Sequence, residues 1–159
     1  MGFSKECFKN DNDSNEVAIT YSMDSIQLIE SGKAYMGVAL GTEHDVDPFS
    51  NTMAYHLVSS AKECVVIVLH NHPSLSHFSL SDIQFLLQYE ALKMLVAVTN
   101  LGNVSYIVKT QKYNFKKAVA FFNEAVDRNN GAKSLKDLQD AADYFLKNCY
   151  NIGIEYENR

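Results

Sequence analysis

No apolar run in these 159 residues approaches the ~20 needed to cross a bilayer, so no transmembrane helix is expected. The opening Met1-Gly2-Phe3-Ser4-Lys5-Glu6 lacks an apolar signal-peptide core, and Glu6 stands where a myristoylation signal wants Ser or Thr. Cysteine is scarce. Cys7, Cys64 and Cys149 are odd in number, far apart, and never in a Cys-x-x-Cys pair. That pattern reads as reduced thiols in a cytoplasmic protein, and no neighbouring feature activates any of them as a nucleophile. Basic charge is also short: Lys+Arg number 14 against Asp+Glu 19, a net charge of −5. Phosphate contacts need clustered Lys and Arg, so nonspecific nucleic-acid binding is disfavoured. Repeats and low-complexity segments are missing too. What the chain does have is core material: 47% hydrophobic residues, with nine Phe and nine Tyr. This composition predicts a folded globule, and the length suits one compact domain better than two.

One stretch carries the chemistry. Val65-Val66-Ile67-Val68-Leu69 is a β-branched apolar run that ends in His70-Asn71-His72-Pro73. Strand side chains alternate faces, so His70 and His72 point the same way. Pro73 has no N–H and ends the ladder. After a short loop, Ser79 or Ser81 can cap a helix whose first turn carries Asp82. Two imidazoles on one face and a carboxylate on an adjoining helix tip are ligands of the types zinc accepts. Three protein ligands leave a fourth position for water, the arrangement of catalytic rather than structural zinc. His77, in the intervening loop, is an alternative ligand.

Around this stretch the pattern predicts alternating strands and helices. Residues 1–14 are a polar lead-in. Strands are expected at Glu16–Tyr21, Ile26–Ile29 and Ala34–Leu40, forming an antiparallel meander. A helix over Ser50–Ala61, capped by Ser50, precedes the histidine strand, and another, Ser79–Met94, follows it. A hairpin of Leu95–Thr99 and Val104–Val108 comes next. A helix on either side of the histidine strand fits a three-layer α/β/α sandwich over residues 15–111. Residues 112–159 add a C-terminal helical pair packed on the same domain. Its stripes are Phe115, Val119, Phe122 and Val126, then Leu135, Leu138, Ala141, Ala142, Phe145 and Leu146. The tail Ile152–Tyr156 reads as an edge strand.

The pattern His70-x-His72-Pro73, then Ser79-x-x-Asp82, resembles the JAMM (MPN+, JAB) metallopeptidase superfamily. The wording His70-Asn71-His72-Pro73-Ser74 is closest to its bacterial RadC-like and phage- or toxin-associated JAB branch. The resemblance covers roughly residues 16–109. The loop between His72 and Ser79 is one residue shorter than the family's usual spacing. The resemblance implies a mixed sheet of deaminase-like architecture and a zinc ion held by His70, His72 and Asp82. It also implies a general base on an early strand, with Glu16 first among Glu16, Glu30 and Glu43, and Ser79 as donor to the oxyanion.

The function this implies is zinc-dependent hydrolysis of an amide bond by a metallopeptidase or isopeptidase. The substrate is a protein or peptide, with ubiquitin-like C-terminal isopeptides among the candidates. Two rivals stand beside it: a RadC-like DNA-associated accessory protein, and a non-catalytic binding module clamped by zinc.

Overall fold

A computed structural model of the chain describes residues 15–25, 36–42, 45–61, 63–72 and 78–159. The elements run β1 (Val17–Ser22), β2 (Gly37–Leu40), α1 (Thr52–Ser60), β3 (Val66–His72), α2 (Leu80–Gln88) and β4 (Leu92–Thr99). They continue with β5 (Val104–Lys109), α3 (Phe115–Arg128), α4 (Leu135–Asn148) and β6 (Ile154–Asn158). Short 3-10 turns occupy Met23–Ser25, Pro48–Ser50 and Cys149–Ile152. The expected strand at Ile26–Ile29 and residues 34–35 of the next lie outside the described residues.

The strands form one six-stranded sheet in the order β2-β1-β3-β4-β5-β6. Only β3 and β4 run parallel, and every other neighbouring pair is antiparallel. The fold is therefore α/β with a mixed sheet. A parallel pair needs a crossover, and α2 supplies it. β3 lies inside the sheet and is buried along its whole length, which its unbroken apolar run anticipates.

All four helices contribute to one buried cluster with Ala18, Ala39, Val66, Val68, Leu95, Ala97 and Ile107 of the sheet. The opposite face buries Val17, Ile19, Ile67, Leu69, Val96 and Val98, and no described helix contributes to that cluster. Gly37 lets α1 lie close on the first face: a Cβ there would stand 2.7 Å from that of Ala54. No described helix is long and apolar enough to span a membrane.

Several element bounds differ from the sequence expectation for physical reasons. The helix after the histidines ends at Gln88, not Met94, because Leu92 pairs with Val66 and Met94 with Ile67 in the parallel ladder. Cross-strand pairing overrides the good helix propensity of Leu-Lys-Met. Asn51, not Ser50, caps α1, accepting from Met53 N at 3.0 Å and Ala54 N at 3.1 Å. In α3 the fully buried positions are Ala118 and Ala125, flanked by half-buried Phe121, Phe122 and Val126, while Phe115 is exposed. In α4, Ala141, Ala142, Phe145 and Leu146 are buried, but Leu135 and Leu138 are exposed. The tail forms edge strand β6 on β5, two residues later than expected.

Candidate metal centre

His70 and His72 close β3 on the helix-covered face, in line with Val66 and Val68. Both are buried. Their Nε2 atoms approach to 2.7 Å, which without an ion is a hydrogen bond between one protonated and one bare nitrogen. Phe78, also buried, sets its ring 6.0 Å from that of His70.

Asp82 reaches the pair from the first turn of α2. The Ser79 hydroxyl accepts from Asp82 N at 3.1 Å, and Asp82 Oδ2 accepts from Ser79 N at 2.8 Å, so the two residues form a reciprocal capping box. The Ser79 hydroxyl also donates to Asp82 Oδ2 at 2.9 Å. This bracing fixes the carboxylate. Its Oδ1 lies 3.5 Å from His70 Nε2, and its Oδ2 lies 3.5 Å from His72 Nε2. Burial acts to raise the Asp82 pKa, but the two imidazoles beside it win and hold it well below the usual carboxylate range.

One donor atom from each of the three residues falls within 4.8 Å of the others, a group that could hold a metal ion. Ligands ~2.0–2.1 Å from a tetrahedral zinc stand ~3.3 Å apart. The two His–Asp separations of 3.5 Å are close to that spacing. The imidazoles at 2.7 Å must part slightly to admit an ion. A liganding histidine ordinarily donates its other ring nitrogen to a partner. His70 Nδ1 is buried with no described partner. The six residues between His72 and Ser79 leave Asp82 beside both histidines. His77 lies outside the described residues.

Glu16 is brought to the same place by strand register. Ala18 pairs with His70 across β1 and β3, so residue 16 falls opposite residue 72, on the same face of the sheet. Backbone bonds from Glu16 N to Thr42 O at 2.7 Å and from Gly41 N to Glu16 O at 2.8 Å hold its other edge. Glu16 is buried, and desolvation pushes its carboxyl up to about 7. The charge of His72 opposes that rise, while Asp82 and Asp45 reinforce it. A carboxyl poised near neutrality is suited to taking and returning a proton. Glu30 and Glu43, the other candidate bases, lie outside the described residues.

Asn71 is a site residue that the sequence reading passed over. It is buried between the two histidines in sequence but points to the opposite face. Its Oδ1 accepts from Val17 N, and its Nδ2 donates to Asn15 O at 3.1 Å. It therefore grips the backbone on both sides of Glu16. The available signal was an amide side chain ending an otherwise apolar central strand.

The chemistry here is two buried imidazoles and a half-buried carboxylate on a helix tip, with a second carboxyl, Glu16, in their electrostatic reach and poised near neutrality. No protein-family model, curated protein or solved structure matches the chain.

Proposed function

We propose that the chain is a zinc-dependent hydrolase of amide bonds, a metallopeptidase or isopeptidase of the JAMM kind. The observation that carries this reading is the convergence of Glu16 with His70, His72 and Asp82 on one face of the sheet. When bound, zinc supplies Lewis-acid polarisation of a carbonyl and acidifies water. His70, His72 and Asp82 hold it there. Glu16 takes the proton of the attacking water and returns it to the leaving amine. Ser79 serves the oxyanion of the tetrahedral intermediate. In the resting arrangement its single hydroxyl proton goes to Asp82, so that role needs the proton to turn toward substrate while Ser79 N keeps its bond to the carboxylate.

The same reading includes a covering layer on the Val17–Ile67 face of the sheet, which completes a three-layer sandwich. The burial of that face supports it. It also places the protein in a reducing, cytoplasmic setting, supported by the free thiols of Cys64 and Cys149. Substrates are proteins or peptides, with ubiquitin-like isopeptides first to be screened.

The test is Glu16→Gln, which preserves volume and hydrogen-bonding reach but takes no proton at neutral pH. Against a substrate found by screening ubiquitin-like fusions and peptide libraries with zinc, the variant keeps its zinc and loses activity by about 10²–10⁴-fold. Glu30→Gln behaves as wild type. A fully active Glu16→Gln enzyme contradicts the assignment of the base. A zinc-loaded wild type inert against the whole panel contradicts the hydrolase reading in favour of a zinc-clamped binding module.

A further inference from the structure

β5 ends in a lysine that the metal centre does not use. Met94 pairs with Val108, whereas His70 and His72 pair with Ala97 and Thr99, so Lys109 sits at the opposite end of β4 from the histidines. At ~3.3 Å per strand residue the separation is roughly 20 Å. Lys109 is only 2% exposed. Its ammonium donates to the carbonyl of Tyr89 at 2.8 Å and lies 5.0 Å from the centre of the Tyr113 ring. It forms no ion pair with any described carboxylate. An ammonium has three N–H donors, and a buried one with no anionic partner is costly. The Tyr113 hydroxyl is also buried, with no described partner.

Both groups line one cavity of about 650 Å³, whose apolar wall includes Leu87 and Phe115. Its size falls within the range of small-molecule sites, roughly 300–1,000 Å³, where apolar walls and a few placed polar groups fix one ligand. The N-terminal turn of α3 begins at Phe115 on the same wall, and its dipole favours negative charge. Glu90 and Lys93 also line the cavity and offset one another in charge, so Lys109 is left as its uncompensated cation and a singly charged anion matches it.

We propose that this cavity is a second ligand site, separate from the metal centre, for a small organic carboxylic acid. The carboxylate takes the free donors of Lys109 Nζ and Tyr113 Oη, and the apolar body rests on Leu87 and Phe115. Burial already pulls the Lys109 ammonium down to about 8; Cys64 and Glu90 oppose that fall and Lys93 adds to it.

The test is a titration of the whole ¹⁵N-labelled chain with benzoate, phenyl phosphate and benzamide, followed by amide shifts. Benzoate should give saturable shifts at Thr110, Gln111 and Tyr113. Neutral benzamide should bind about tenfold or more weakly, and phenyl phosphate less well than benzoate. Lys109→Met should weaken benzoate by about tenfold or more, and Tyr113→Phe by several-fold with the fold intact. If Lys109→Met does not fold, the Tyr113→Phe and benzamide comparisons decide. Unsaturable shifts, equal binding of benzamide, or benzoate bound by Tyr113→Phe as by wild type would each overturn the proposal. Preference for phenyl phosphate would overturn the carboxylate assignment.

Discussion

Ala18 of β1 stands directly opposite His70 of β3. From that pairing the register sets residue 17 against Asn71 and residue 16 against His72. The candidate metal centre and Glu16 are thus joined by a strand register, and Asn71 pins that register through Val17 N and Asn15 O. Replacing Asn71 with Ala removes both bonds and leaves the buried Val17 N–H without its partner. We expect a loss of ~1–3 kcal/mol in denaturant unfolding, with hydrolysis falling further than zinc content. Equal stability of Asn71→Ala and wild type would show that the grip on β1 is unimportant.

The buried Glu16 gives metal-free protein a pH signature. Its folded pKa of about 7 lies above the ordinary 4.5, so the folded state holds the proton more tightly than the unfolded state. Its favourable contribution is therefore complete below the ordinary value and lost as pH rises through about 7. In chelator, Glu16→Gln should match wild type near pH ~4.5 and exceed it by ~1–3 kcal/mol near pH ~8. Urea unfolding at the two pH values measures this. A wild-type-to-variant difference that does not change with pH would contradict it.

Ser79 both caps α2 and braces the Asp82 carboxylate. Ser79→Ala removes the cap on Asp82 N and the hydroxyl bond to Asp82 Oδ2, but spares the Ser79 N bond. The expected cost is ~1 kcal/mol of stability, with zinc affinity about tenfold weaker in a chelator competition. Unchanged affinity with reduced stability would make Ser79 a helix cap alone.

Much of the centre is legible in the chain because it is local. The His-x-His alternation needs only the strand period. The Ser79–Asp82 box needs only helix-start chemistry, and both occur in the structure. The β-branched run of β3 and the amphipathic α3 and α4 are similarly local. The misreadings are where long-range pairing decides. Residues 92–94 carry a helical pattern, yet join β4 because the β3 edge offers them a ladder. Phe115 fits the stripe of α3 by spacing, but the helix buries Ala118 and Ala125 and meets α4 through Phe121 and Phe122 against Phe145. Asn71 and the Lys109 cavity depend on partners 54 residues distant in one case and on several separate elements in the other. Period and capping carry no information about such meetings.

Zinc content reads out whether His70, His72 and Asp82 together hold a metal. Protein passed through metal-free buffer after zinc loading, then analysed by plasma emission, should carry about one zinc per chain. His72→Ala, checked for its fold, should carry almost none, and Asp82→Ala should lose zinc at chelator concentrations that wild type withstands. A folded His72→Ala protein that retains as much zinc as wild type would contradict the metal centre described here.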